Sequence, residues 1–169
     1  MTTATTDNPV IIYTDGACKG NPGAGGWGVV LSRNGTSKEL FGGEFYTTNN
    51  VMELTAAIKG LEALKQPLPV RLITDSTYLI DGMVKYRDGW KANDWCKSRG
   101  KPVANAELWK RLDELASMHT VEWVWVRGHT GEAGNERADQ LANLGCKTAC
   151  KTFQVSGVIS VQKLPPWVV

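Results

Sequence analysis

Apolar residues recur along this chain with two periods, and the switches between them mark its elements. Runs of Val, Ile, Tyr and Trp bounded by Gly, Pro and Asn predict strands at about 10–15, 25–33, 38–46, 70–74 and 120–126. The first three lie close together and suit an antiparallel meander, and Asn34-Gly35 is a hairpin signal between the second and third. Leu54, Ala57, Ile58, Leu61 and Leu64 recur at helical spacing and predict a helix over 49–65. Thr48 or Asn49 can cap it, and Pro67 and Pro69 end it. The strand "VRLITD" follows, so strand, crossover helix and strand form a βαβ unit whose two strands run parallel. Further helices are expected at about 76–87, 105–117 and 135–147, with Ser76 and Asn105 as caps. Residues 88–104 lack helical periodicity and read as an exposed excursion rich in Trp and Lys. The fold class is α/β: a mixed five-stranded sheet, three antiparallel strands plus two parallel to strand one, flanked by helices.

The pattern breaks where acids stand among apolar residues. Asp15 follows Val10, Ile11, Ile12 and Tyr13, and Asp75 closes the strand of the βαβ unit. Parallel neighbours bring both carboxylates out at one sheet edge, where functional groups of open α/β sheets gather. Glu53 lies off the main apolar stripe of its helix, in line with the small residues Ala56, Ala57 and Gly60, so it faces the strand ends. Asp139 aligns with Ala138, Ala142 and Cys146 and also faces inward. Each acid alone reads as a turn, a cap or a solvated helix charge. Four converging carboxylates raise one another's pKa or repel, unless a hard cation sits among them. Mg²⁺ takes oxygen ligands and keeps several waters, so a few carboxylates suffice, and two such ions balance four acids.

At 169 residues the chain is expected to form one domain with its own core. No apolar run is long enough to cross a membrane. The start "MTTATTDNP" has no basic segment followed by an apolar one, so a cytoplasmic location is expected. Cys18, Cys96, Cys146 and Cys150 are scattered, without the paired spacing of a zinc site, and read as buried or incidental thiols. The net charge of +2 is uninformative, but its distribution is not. Lys85, Arg87, Lys91, Lys97, Arg99 and Lys101 stand against only Asp88 and Asp94, within one short stretch. Alternating cations and aromatics suit tracking of a nucleic-acid backbone.

The blocks "YTDGACKGNPGAGGWG", "TTNNVMELTAAIKGLEAL", "LITDSTYLIDG" and "WVRGHTGEAGNERADQLAN" resemble, in order and spacing, the signature blocks of type 1 ribonuclease H. The resemblance covers about residues 10–148 and implies a ribonuclease H-like fold. It divides the chain into a catalytic domain, 1–148, and a C-terminal extension, 149–169. It implies endonucleolytic hydrolysis of the RNA strand of RNA–DNA hybrids to 5′-phosphate and 3′-hydroxyl ends. It also implies two Mg²⁺ (or Mn²⁺) ions held by Asp15, Glu53, Asp75 and Asp139. One ion would activate a water and the other would stabilise the leaving 3′ oxygen. His129 in "RGHTG" would be an auxiliary catalytic group that shuttles protons or assists product release.

Recognition of the hybrid needs a handle on the 2′-hydroxyl. The resemblance places backbone contacts at Asn21, Thr48 and Asn49, residues that sequence alone also allows as turn and cap positions. It makes "KYRDGWKANDWCKSRGKP" the basic protrusion of bacterial members. There Lys91, Lys97, Arg99 and Lys101 would contact phosphates, and Tyr86, Trp90 and Trp95 would offer flat apolar surface, unless the tryptophans fill a satellite core. Thr77 departs from the Gln that many bacterial relatives carry. A monomer is expected. In the tail, Val155, Val158, Ile159 and Val161 can form an extra strand. The "LPPW" stretch either packs on the domain or presents an aromatic anchor to a protein partner. A silent hybrid-binding module should lack one of the acids, and none is missing. An integrase- or resolvase-like substrate fits the "GNPG", "TTNN" and "RGHTG" blocks poorly.

Overall fold

The structure is a computed structural model that describes residues 8–150, the backbone of 154–161, and 166–168. Strands β1 (Val10–Lys19), β2 (Gly23–Arg33) and β3 (Thr36–Thr47) form the expected meander. Asn34 and Gly35 turn it with φ of 53° and 77°, the left-handed pair that matches strand twist. Helix α1 (Asn49–Glu62) crosses to β4 (Pro69–Thr74), which runs parallel to β1, and β5 (Thr120–Trp125) runs parallel to β4. Thr48 caps α1 by accepting from the Val51 amide at 3.2 Å. The remaining helices are α2 (Thr77–Asp81), α3 (Arg87–Ala92), α4 (Ala106–Ser117) and α5 (Ala133–Ala149).

The five expected strands are joined by a sixth, giving the order β5-β4-β1-β2-β3-β6. Strand β6 (Gln154–Val161) pairs antiparallel with β3, so the extra strand foreseen in the tail covers an edge that would otherwise be open. Beyond it Trp167 and Val168 are buried in the core, and the Lys65 amide donates to the Trp167 carbonyl at 3.2 Å. The aromatic residue that the sequence offered to a protein partner is therefore used by the chain itself.

Alternation along β2 explains how two helical layers fit one sheet. Trp27, Val29 and Leu31 face the core under α1 and α4, with Ile12, Leu54, Leu61, Leu72 and Leu112. Gly26 and Gly28 face α5 on the other side. A Cβ on Gly28 would run into the Ala138 carbonyl, so the missing side chain is what lets α5 lie against the strand.

Three expectations need correction. The helix expected over 76–87 is not continuous: α2 gives way to a π-helical turn at Gly82–Tyr86 before α3. Gly82 lies against the Trp109 ring, where a side chain would not fit, and wide turns mark such insertions. The excursion expected from 88 begins only after Ala92. Helix α3 buries no residue completely, so it has no apolar stripe for the sequence to display. Asn105 stands at the start of α4 but does not cap it. It adopts a left-handed conformation (φ 58°) and its amide donates to the Tyr78 hydroxyl at 3.1 Å.

Gly28→Ala should cost roughly 3 kcal/mol or more through overpacking against α5. Gly89→Ala, in open space on α3, should be neutral or stabilising by about 0.5–1 kcal/mol. Urea unfolding of the two variants checks the contrast, which disappears if α5 does not pack this closely.

Candidate active site

Strands β1 and β4 are in register at Thr14 and Thr74, so Asp15 and Asp75 emerge side by side at the same sheet edge. Both threonines are fully buried, and the strands beneath them are apolar, which fixes the height at which the acids emerge. Glu53 comes down from the second turn of α1. Gly16 permits this, because a Cβ there would sit 2.6 Å from the Glu53 amide nitrogen. Carboxylate oxygens of Asp15, Glu53 and Asp75 all lie within 4.8 Å of one another. Asp15 and Glu53 are each only 5 % exposed, and Asp75 is half-buried.

Burial and crowding set the electrostatics. Burial first, then the charges of Asp75 and Asp139, push the Asp15 carboxyl up from its ordinary range to about 8. The Gly16 amide, donating to Asp15 Oδ1 at 2.9 Å, opposes that rise without cancelling it. Glu53 is also raised well above its usual value, by burial and then by Asp15 and Asp75. Its Oε2 is buried without a hydrogen-bond partner. An orphan oxygen among crowded acids is a site built for a cation, and the all-oxygen donor set suits a hard divalent one.

Asp139, on α5, does not join the compact trio. It stands near enough to Asp15 for its charge to help raise that carboxyl. Asn143, one turn further on, donates to Asp139 Oδ1 at 3.3 Å. His129 is exposed, stands outside the trio, and adopts a left-handed backbone (φ 59°). Its loop is tied at one end by the Val126 amide, which donates to the Thr74 carbonyl at 3.0 Å. At the other end the Tyr13 hydroxyl donates to Glu132 at 2.6 Å, and burial with that acid pushes the Tyr13 phenol up to about 12.

The expected recognition residues fall into two groups. Asn21, Thr48 and Asn49 come together beside the acids: Asn21 Oδ1 accepts from the Asn49 amide at 3.1 Å, joining the β1–β2 loop to the start of α1. Thr77, also beside the acids in sequence, is exposed. The second group forms the protrusion. The Lys97 amide donates to the Lys101 carbonyl at 2.7 Å and the Val103 amide to the Trp95 carbonyl at 2.9 Å. This narrow loop carries Lys97, Arg99 and Lys101, all exposed. Lys91 is different: it pairs with the buried Asp113 at 3.2 Å, as Arg87 does at 3.7 Å. Trp90 and Trp95 pack against the core, with Trp90 5.2 Å from the Trp109 ring. The satellite-core alternative therefore describes them, whereas Tyr86 stays exposed above Trp90 at 5.7 Å.

The sequence reading missed the contacts that steady the acids. Asn143 was legible as the i+4 neighbour of Asp139 on a helix. The indole of Trp125, which donates to the Asp75 carbonyl at 3.1 Å, left no trace, because it depends on strand register.

Comparisons with known proteins agree in direction. The RNase H family profile matches residues 7–147. Ribonuclease HI of Pseudomonas aeruginosa is 60% identical over 136 residues, covering 80% of this chain and 92% of that protein. Among solved structures, LC9-RNase H1, a type 1 RNase H with the type 2 active-site motif, superposes with a TM-score of 0.78 at 31% identity, covering 94% of this chain and 80% of that one. LC11-RNase H1, solved in complex with an RNA/DNA hybrid, gives 0.61 at 26% identity, covering 83% and 98%.

The crowded acids set a pH dependence. Because Asp15 and Glu53 are raised, the folded state holds protons that the unfolded chain releases above about pH 4. Metal-free protein should therefore lose stability as pH rises from about 4 to about 8, the value reached by Asp15. Asp15→Asn should flatten that slope and stabilise the metal-free protein at pH 8 by roughly 1–3 kcal/mol. Denaturation midpoints across pH, with and without Mg²⁺, test this; equal slopes for both proteins would remove the repulsion.

Proposed function

Because this chain belongs to the ribonuclease H family, as a type 1 bacterial member and an RNase H enzyme, we propose that it cuts the RNA strand of RNA–DNA hybrids. The products are a 5′-phosphate and a 3′-hydroxyl: water oxygen bonds to phosphorus, the bond to the 3′ oxygen breaks, and that oxygen takes up a proton. One observation carries the reading: three carboxylates within 4.8 Å at a parallel-strand edge, one with a buried oxygen that has no partner.

The family is metal-dependent, and these acids fit a divalent cation. Asp15, Glu53 and Asp75 would hold it, with Asp139 completing a site for a second ion. Mg²⁺ is the proposed metal, and Mn²⁺ a substitute. When bound, the pair supplies Lewis-acid activation of water and neutralises charge building on the phosphate and the leaving oxygen. The chain does the rest. Asp15 and Glu53 give up the protons that their crowding makes them hold. Asn21, Thr48 and Asn49 meet the hybrid backbone beside the acids and present short polar groups to the 2′-hydroxyl. His129, on its exposed loop, moves protons at its imidazole as product leaves.

Lys97, Arg99 and Lys101 contact phosphates, with Lys91 contributing from its pairing with Asp113. Tyr86 offers the exposed ring, while Trp90 and Trp95 serve chiefly as its foundation. In this reading residues 1–148 are the catalytic unit, and 149–169 are an extension whose β6 adds to the sheet beside β3 and whose Trp167 and Val168 meet Lys65 and Leu64. No helix among the described residues is long and apolar enough to cross a membrane. The working form proposed is a cytoplasmic monomer.

Incubating the protein with labelled RNA–DNA, RNA–RNA, DNA–DNA and single-stranded RNA, with Mg²⁺ or a chelator, tests the reading. Only the hybrid should be cut, and only with metal. Asp15→Asn should lower the rate by at least about a thousandfold while leaving hybrid binding within about threefold. Cutting by the chelated enzyme would sink the metal role, and a wild type that binds but never cuts would identify a silent module.

The protrusion has its own test. Replacing Lys97, Arg99 and Lys101 together by Ala should weaken hybrid binding and reduce the slope of log K against log salt by about 1 for each phosphate no longer neutralised. An unchanged slope would show that these cations do not meet phosphates.

A further inference from the structure

The peptide unit that joins Asp75 to Ser76 lies just beyond the end of the β4 ladder, where no strand partner can hold it. Both of its polar groups are nevertheless engaged. The Ser76 amide donates to Thr74 Oγ1 at 3.0 Å. The Asp75 carbonyl accepts from the indole nitrogen of Trp125 at 3.1 Å. Trp125 is the last residue of β5 and is in register with Thr74, so the sheet itself sets where that indole starts. The side chain belongs to a residue 49 % exposed, yet its one donor is turned in to the backbone. Clamping both ends of a peptide plane fixes the backbone torsion that aims the preceding side chain.

Asp75 needs such a clamp. Its carboxylate is crowded by those of Asp15 and Glu53, and it belongs to the most exposed residue of the three. Hydration favours turning it outward, toward water. On its other side the backbone at Gly128 closes in, where a Cβ would fall 2.7 Å from Asp75 Oδ2. We propose that Trp125 is a positioning residue for this enzyme: its indole N–H holds the Asp75 peptide so that the carboxylate stays aimed into the acidic cluster in readiness for metal. This rests on the reading of Asp75 as a metal ligand. It adds to that reading a residue from a different strand, acting through the backbone and without touching substrate.

The test removes the N–H and keeps the ring. Trp125→Phe should weaken Mg²⁺ or Mn²⁺ uptake by the substrate-free protein about tenfold in calorimetry, the scale seen when a ligand's supporting hydrogen bond is removed. It should lower kcat by a similar factor and leave KM for the hybrid within about twofold. A second variant carries benzothienylalanine at position 125, with sulfur in place of N–H and the bicyclic shape retained; it should show the same defect and decides the matter if the Phe variant does not fold. Metal uptake and kcat within about twofold of wild type in that isostere would overturn the proposal while leaving the acidic site intact. Wild-type protein that takes up no metal would instead overturn the reading on which the proposal stands.

Discussion

The molecule is organised around holding together charges that repel. Asp15 and Glu53 are almost fully buried, Asp75 lies beside them, and no cationic side chain is among the groups that set their pKa values. Such a cluster survives only on a scaffold stiffer than the repulsion. The scaffold here is a parallel strand pair whose apolar residues, Ile12 and Leu72 among them, are fully buried on the sheet. A helix lies against that sheet closely enough for Gly16 to touch the Glu53 backbone. The cost is stored in the raised carboxyl pKa values, and a bound cation releases it.

The protrusion is built with the opposite economy. The cations of the protrusion stand in water on a short loop and owe little to the core. Only its foundation is expensive. Trp90, Trp95 and Trp109 form a ring cluster beneath it, and Asp113 pairs with both Arg87 and Lys91 where the protrusion joins α4. Exposed charge acts at long range and is weakened by salt, whereas desolvated charge acts strongly at short range. Cations and acids thus stand at opposite levels of burial in one chain.

The two halves of the candidate site are also mechanically joined. The segment that ends β5 and leads to His129 is bonded to β4 through Val126 and Thr74, and to Asp75 through Trp125. Its far end is tied to β1 through Tyr13 and Glu132. The exposed histidine therefore stands on a loop whose feet rest on the two strands that carry the acids.

The chain by itself determined the strands, the crossover helix with a cap at Thr48 or Asn49, the cap at Ser76 and the acids to examine, because each is written in local periodicity or in an acid that stands among apolar or small residues. It also determined the basic character of the protrusion, since charge is compositional. Tertiary structure alone decided the rest. Whether Trp90 and Trp95 face a nucleic acid or a neighbouring ring depends on α4, which follows them in sequence. Whether Lys91 is available depends on Asp113, and Trp167 is buried in the core rather than offered to a partner, its carbonyl accepting from the Lys65 amide while Val168 bridges to Leu64. The place of Asp139 beside Asp15 but outside the compact trio, and the indole that reaches Asp75, follow from helix placement and strand register. Those are long-range quantities that no window along the chain contains.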